Sequence, residues 1–572
     1  MTNSFRATPH GGKLVNLVVD GQRAAELKHL SRDLPAVALS DRQLGDLELL
    51  MNGAFSPLRG FMNRGDYESV LERMRLRDGT LWPLPICLDV SSAEAERLAP
   101  GQPVALHDAE GFMLAVMHIE DIWAIDKRRE AEQVFGTRET AHAGVEDLFN
   151  RMGSHYLGGR LEGIQLPLRF AFKRHRHTPA EVRILYQKLG WRRIIGFQTR
   201  NPMHRAQFEM TLRAMAEAKA NLLLHPVVPR VQPGDIDTYT RIRCYLEVYR
   251  HYPPNMMLLS LLPFYMRMAG PREAVLHAIL RKNYGCTHFI IGPHHASPGR
   301  GPDGSPFYDA DAAKRLALSF GDELEIGIMA MPELVYVPEE DAHLPAAAVA
   351  PGAKVSSLTD DEFHRRLRTG KPVARWFTFR EVIEELQRAH PPRHRQGFTI
   401  FCTGLSGAGK STVARVLYAR FQEMGGRPVT LLDGDIVRRN LSSELGFSKQ
   451  DRDINVRRIG FVASEITKNR GIAICAPIAP YRMTRRQIRR QIEHYGGFIE
   501  IYVNTPLEVC EGRDRKGLYA KARAGMIKGF TGVDDPYEAP RVPEVTLDTS
   551  DMTPDEAAQE VLLFLEREGF IK

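Results

Sequence analysis

The sequence predicts a multidomain α/β protein, and three observations carry that prediction. Residues 398–402 read as a short buried strand, residues 404–411 fit G-x-x-x-x-G-K-[ST], and Thr412-Val-Ala-Arg-Val-Leu-Tyr-Ala-Arg-Phe opens a helix with an apolar stripe. From about residue 178, strand-like and helix-like runs alternate, which is the texture of an α/β layer. Residues 1 to about 170 instead mix short apolar runs with Gly, Pro and Asp, suggesting a β-rich barrel or sandwich with a few helices.

The 572 residues give a prior of about four domains. A formal net charge of +7 suits small anionic substrates, and no Lys/Arg block or aromatic-interleaved basic stripe points to nucleic acid. The six cysteines are far apart and form no CxxC pair, which argues against a disulfide framework or zinc site and for a reducing compartment. The N-terminus lacks the apolar core of a signal peptide, and no uninterrupted apolar run spans a bilayer. A cytoplasmic protein without membrane contact is expected.

In chain order, Leu14-Val-Asn-Leu-Val-Val, Trp82-Pro-Leu-Pro-Ile-Cys-Leu-Asp-Val and Gly111-Phe-Met-Leu-Ala-Val-Met-His-Ile are the strand-like runs of the first region. Phe55-Ser-Pro-Leu-Arg-Gly-Phe-Met is a loop-like apolar cluster that fits either packing or a ligand role. Thr178-Pro-Ala-Glu should start a helix, with Thr as N-cap, Pro at the first position and Glu three on. Arg193-Ile-Ile-Gly-Phe-Gln reads as a strand. A helix with Asn201 as N-cap and Pro202 at its first position is expected next. There His204 and Gln207 share a face near the positive end, with Gln198 and Arg200 just before. That is either a second anion site or a set of polar caps. His288-Phe-Ile-Ile-Gly reads as a strand running into Pro293-His-His-Ala, whose paired histidines have no carboxylate or cysteine at zinc-binding spacing. Pro391-Pro-Arg-His-Arg-Gln-Gly is the best linker candidate.

The glycine-rich stretch is the sharpest chemical signal. Its glycines let successive N–H groups turn onto a phosphate, and the helix after it adds its positive end. Gly404, Leu405, Ser406, Gly407, Ala408, Gly409, Lys410, Ser411 and Thr412 are the candidate ATP contacts. Lys410 would reach the β/γ-phosphates, and Ser411 would hold Mg²⁺. Val429-Thr-Leu-Leu-Asp-Gly-Asp reads as a second strand, placing Asp433 and Asp435 on the same side of an extended backbone.

Together with Leu445-Gly-Phe-Ser-Lys-Gln-Asp-Arg-Asp-Ile-Asn, Ile474-Cys-Ala-Pro-Ile-Ala-Pro-Tyr-Arg and Arg513-Asp-Arg-Lys-Gly-Leu-Tyr, these pieces closely resemble adenosine 5′-phosphosulfate (APS) kinase across nearly all of 396–572. The resemblance implies transfer of the ATP γ-phosphoryl group to the 3′-hydroxyl of APS, giving PAPS. It also implies that Asp435 orients or deprotonates that hydroxyl. Asp433, Arg438, Arg452, Asn455 and Ile478 would contact APS, Phe447 would stack on adenine, and Lys516 and Leu518 would close over the nucleotide. Ala479 stands where some members of that family carry Ser, which favours direct in-line transfer.

Residues 1 to about 390 resemble ATP sulfurylase, on Gln198-Thr-Arg-Asn-Pro-Met-His, His225-Pro-Val-Val, Leu259-Ser-Leu-Leu-Pro, Met268-Ala-Gly-Pro-Arg-Glu-Ala and Arg281-Lys-Asn-Tyr-Gly-Cys-Thr-His. The implied fold is a β-rich, PUA-like N-terminal domain followed by a Rossmann-like nucleotidyltransferase domain. The implied partition is 1–170, 171–340, a connecting piece at 341–395, and the P-loop kinase at 396–572. Sulfate would attack the α-phosphorus of ATP and pyrophosphate would leave. Gln198, Thr199, Arg200, Asn201, His204, Gln207, His295 and Ala296 are the implied substrate contacts, with Arg200 and His204 central. ATP, sulfate, APS and pyrophosphate are the implied ligands, and a homodimer or larger assembly is implied.

Three departures fall at that second site. The family pattern H-x-x-H ends in Gln207, G-R-D-H-A reads Gly292-Pro-His-His-Ala, and Pro229-Arg230 comes after His-Pro-Val-Val where the family has Gly. Pro293 supplies neither a guanidinium nor an N–H. Arg230, His294 and Arg300 are the nearby cations that could restore charge. Two readings remain: a sulfurylase working in either direction, or a sulfurylase-like scaffold or nucleotide sensor for an active kinase.

Overall fold

The computed structural model describes residues 7–229, 236–446, 448–514 and 517–572, without the side chains of Asp360 and Asp435. The chain forms two compact units, Met1–Leu358 with Ala374–Glu385, and Thr359–Val373 with Leu386–Lys572.

The first unit begins with a six-stranded mixed sheet built on a long antiparallel pair, Met113–Ala124 against His155–Gly163. Phe55, Leu58, Phe61 and Met62 are buried, and the Phe55 ring meets Trp82 and Phe264 edge-on at 5.9 and 6.3 Å. The apolar cluster around Phe55 is therefore packing. The Phe264 contact also makes this core continuous with that of the following α/β layer. Arg267 reinforces the junction by donating to both carboxylate oxygens of Asp46 at 2.7 and 2.6 Å.

That layer holds a five-stranded parallel sheet in the order Gly327–Ala330, His288–Ile291, Ile194–Phe197, Asn221–Leu224, Met257–Leu259. Ile194–Phe197 is buried at every position, as a parallel strand covered on both faces must be. Helix Pro179–Lys188 starts on the expected capping box of Thr178 and Glu181. Strand order runs outward from Ile194–Phe197 in one direction through Asn221–Leu224, and in the other through His288–Ile291. The switch point therefore lies between Ile194–Phe197 and His288–Ile291, where α/β sheets open a crevice at the carboxyl ends of their strands.

The helix expected from Asn201 starts later, at Arg205, with His204 as its N-cap. Asn201 is held instead in a turn: its N–H donates to Thr199 Oγ1 at 3.2 Å, and Thr199 Oγ1 donates to its carbonyl at 2.9 Å. With Asn201 committed to that turn, the cap falls to His204, whose N–H donates to Gln207 Oε1 at 3.0 Å.

The second unit is a parallel sheet in the order Val429–Asp433, Ile472–Ala476, Phe398–Thr403, Gly497–Val503, Val545–Leu547. Phe398–Thr403 is central and buried throughout. Helix Lys410–Met424 covers it with Val413, Ala414, Leu417 and Phe421, and begins at Lys410 rather than Thr412 because Gly409, at φ +95°, already makes the turn. Asp433 ends its strand at the N-cap position of helix Gly434–Asn440, where its side chain makes no capping hydrogen bond, so Asp435 belongs to that helix. The expected extended pairing of Asp433 and Asp435 is thus corrected: the backbone turns into the helix at Gly434, and the Asp433 carboxylate accepts from Ser411 instead. All six cysteines are free and buried. Among the described residues no helix is long and apolar enough to cross a membrane.

Candidate functional site

The glycine-rich loop leaves the carboxyl end of the central strand Phe398–Thr403. At Gly407, φ is +76° and a Cβ would lie 2.7 Å from the Cys510 carbonyl oxygen, so no other residue fits. The Ala408 carbonyl is pinned by hydroxyl donors from Thr505 at 3.1 Å and Thr549 at 2.9 Å. Lys410 is buried, with Nζ donating to the Leu405 carbonyl at 2.6 Å. Burial pulls its pKa down to about 8. Ser411 Oγ donates to Asp433 Oδ1 at 3.1 Å, which puts a hydroxyl and a carboxylate together at the foot of the loop. Gly407→Ala is expected to weaken binding of an ATP analogue at least about tenfold by calorimetry, since left-handed backbone alone costs an L residue roughly 1–2 kcal/mol.

A cavity of about 810 Å³ opens over this loop. Ser406, Gly407 and Gly409 to Thr412 line it, and so do Asp433, Arg438, Arg452, Asn455, Ile478 and Leu518 from four separate stretches of chain. Gly404, Leu405 and Ala408, also expected as contacts, belong to the loop but do not line the cavity. Phe447 and Lys516 lie outside the described residues. Arg438 Nη1 donates to the Gly446 carbonyl at 3.0 Å. Arg452 donates to Thr531 Oγ1 at 2.6 Å and to Asp535 Oδ2 at 2.9 Å, while its buried Nε has no partner among the described residues. Asn455 is buried, and its Oδ1 likewise lacks a partner among the described residues. Each such orphan costs about 1–3 kcal/mol, which a polar ligand in the cavity would recover.

Several contributors were missed in the sequence. Asp514 accepts the N–H groups of Leu518 and Tyr519 at 2.8 Å each, which holds Leu518 at the cavity wall. Tyr519 OH donates to the Ser406 carbonyl at 2.9 Å, and Arg513 ties to Thr549. These three stand in a motif that was recognised only as a whole. Thr531 and Asp535, which hold Arg452, carry no local pattern that could have marked them, while Tyr481 stands in the stretch from Ile474 that was likewise recognised only as a whole. Ala479 has φ +46°, and its carbonyl accepts Arg485 Nη1 at 2.6 Å, so the buried Arg485–Glu500 pair holds this wall.

In the first unit, two loops meet at the switch point. Gln198 Nε2 stands 3.3 Å from His277 Nε2, and His277 Nδ1 stands 2.9 Å from His295 Nε2, which joins the expected residues Gln198 and His295 through one they had not included. Burial holds His277 and His295 well below the usual histidine pKa, so both are neutral at pH 7. Arg241 fixes the Arg200 turn by donating to its carbonyl at 2.8 Å. His204 Nδ1 lies 3.0 Å from Thr378 Oγ1, and its ring lies 4.6 Å from that of Phe377. Gln207 turns back to cap its own helix. Ala296 is buried behind His295 with φ +54°. His294 is exposed with φ +53°, and Arg300 donates to the Gly304 carbonyl at 2.7 Å, so it braces its own loop. Arg230 lies outside the described residues.

Three family models match this chain: a PUA-like domain over 7–166, ATP-sulfurylase over 173–389 and adenylylsulphate kinase over 396–548. A sulfate adenylyltransferase of Aspergillus fumigatus is 47% identical over 98% of this chain and 99% of its own. One from Mycosarcoma maydis is 45% identical over 98% and 99%. Among solved structures, the hexameric APS kinase from Thiobacillus denitrificans matches with a TM-score of 0.80 and 43% identity, covering 99% of this chain and 100% of its own.

Proposed function

The chain belongs to the sulfate adenylyltransferase family in its form with an adenylylsulphate kinase domain, and we propose that it activates sulfate in two steps, one in each unit. In the first, a sulfate oxygen bonds to the α-phosphorus of ATP as the bond to the β-phosphate bridge breaks, giving APS and pyrophosphate, or the reverse. In the second, the 3′-hydroxyl of APS takes the γ-phosphoryl group of another ATP, giving PAPS and ADP. The match to the sulfurylase family spans Gln207, Pro293 and His294, and with the full-length sulfate adenylyltransferase relatives it supports the enzyme reading.

The cavity over the glycine-rich loop is the observation that carries the kinase assignment. Its loop side supplies N–H donors and Lys410 for the phosphates. Its far side supplies Arg438, Arg452 and Asn455 for the phosphosulfate and ribose. Family resemblance gives Asp435 the role of accepting the hydroxyl proton. Ala479 offers no hydroxyl for a phosphoenzyme, so transfer is direct and in line. Enzymes of these two classes use ATP with Mg²⁺ as a rule, and the Ser411–Asp433 oxygens fit that hard cation. Bound there, it would neutralise phosphate charge, leaving orientation to the side chains.

In the first unit, Gln198, Thr199, Arg200 and Asn201 form the sulfate side, and His204, at a helix N-terminus, faces the phosphates. A pyrophosphate-release assay with ATP, Mg²⁺ and sulfate, run beside the reverse reaction from APS and pyrophosphate, is expected to show turnover. Silence in both directions, with PAPS still formed from supplied APS, would leave only the scaffold reading. Self-assembly is also proposed, since the full-length structural neighbour is described as hexameric; light scattering would show a mass several times that of one chain.

The buried lysine adds a pH prediction. With its pKa near 8 in the free protein, Lys410 is part-neutral at pH 8–9, and bound phosphates should restore its proton. ATP binding at pH 8.5 should therefore take up protons, read by calorimetry in buffers of different ionisation enthalpy, and Lys410→Arg should abolish that uptake. In the empty protein, between about pH 8 and the unfolded lysine value, the unfolded chain holds more protons than the folded one. Stability contributed at this site therefore rises with pH across that window.

A further inference from the structure

Helix Gly270–Asn283 presents Glu273, His277 and Arg281 four residues apart, and all three are fully buried. A Cβ on Gly196 would lie 2.6 Å from Arg281 Cγ, so the missing side chain at Gly196 makes the slot for the arginine stem. Two residues on, and on the same face of the chain, Gln198 meets His277. One helical turn and one strand repeat have nearly the same length, so the pairs 196/281 and 198/277 stack in register.

The charge at Arg281 is unusual. Its Nη2 donates to the His225 carbonyl at 3.2 Å and its guanidinium lies over the Phe289 ring at 5.3 Å. Among the described residues its Nε and Nη1 have no partner, and no carboxylate forms an ion pair with it. The acid on the same helix face, Glu273, is occupied by the N–H groups of Arg267 at 2.9 Å and Ala269 at 2.8 Å. A buried cation without a counter-ion is costly, and its field is weakly screened inside the protein. Burial brings its pKa to about 10, which still leaves it charged at neutral pH.

We propose that Arg281 is a positioning residue for the sulfate subsite. Its uncompensated charge, one helical turn below His277, makes the loop that begins at Gln198 attractive to a dianion. The substrate, rather than a carboxylate of the chain, is its counter-charge. This rests on the sulfurylase reading of the first unit.

The test uses full-length protein and radiolabelled sulfate in equilibrium dialysis, with α,β-methylene ATP present. Arg281→Met keeps the stem and removes the charge, and should raise the sulfate Kd about tenfold or more. It should raise KM for sulfate more than it lowers kcat. Arg281→Lys, measured at pH 6 so that a buried ammonium stays protonated, should hold the sulfate Kd within about threefold, even if the melting temperature falls, which a packing role would not allow. If the Met variant does not fold, the Lys variant decides: loss of sulfate affinity with charge retained overturns the proposal. So does a Met variant that folds and binds sulfate like the parent, or a parent that binds no sulfate. A parent that binds sulfate in an Arg281-dependent way but turns over in neither direction removes the proposed activity and leaves this inference standing.

Discussion

Lys410→Ala is expected to abolish PAPS formation, lowering turnover by a thousandfold or more, while pyrophosphate release in the first unit continues. The reason is electrostatic. Lys410 is buried at the start of its helix, and its ammonium is tethered to the Leu405 carbonyl within the loop that would wrap the phosphates. Phosphoryl transfer asks the protein for position and charge neutralisation, and losing one oriented donor in such a site costs about 2.7–4 kcal/mol. Loss of a full positive charge beside several phosphate oxygens should exceed that range. A coupled assay with supplied APS reads the kinase, and pyrophosphate release reads the other site in the same preparation. Unchanged PAPS synthesis would remove the kinase assignment.

The mirror experiment is Arg200→Ala. It should lower adenylyl transfer in both directions about 10²–10³-fold and leave PAPS formation from APS near the parent value. Arg200 sits where the chain leaves the first strand at the switch point, and Arg241 holds its carbonyl in place. Removing a charge-assisted contact to a desolvated anion costs about 2–5 kcal/mol. Among the described residues, Gln207 is turned to its own helix cap, Pro293 has no side-chain donor, and Arg300 is engaged with Gly304. Equal activity in the Ala variant would mean that sulfate is held elsewhere.

The pattern of legible and illegible residues has physical causes. The glycine-rich loop was readable because its chemistry is local: a strand, a turn needing positive φ at Gly407 and Gly409, and a helix start all lie within one short stretch. The capping box at Thr178 was readable for the same reason. Asn201 misled because its side-chain type fits a cap, while Thr199 and the next residues offered a competing turn. Asp435 misled because the strand ends at Asp433 and the next helix begins at once at Gly434, while the Asp433 carboxylate turns to Ser411.

By itself the sequence determined the order of the parts, the α/β class and the phosphate-binding loop, all of which depend on residue type at short spacing. Tertiary structure alone decided which distant residues share a wall. Arg452 with Asp535, Tyr519 with Ser406, and Gln198 with His295 through His277 are each joined across long intervals of chain. Sheet order sets those meetings by bringing the carboxyl ends of non-consecutive strands side by side, and no local pattern encodes strand order.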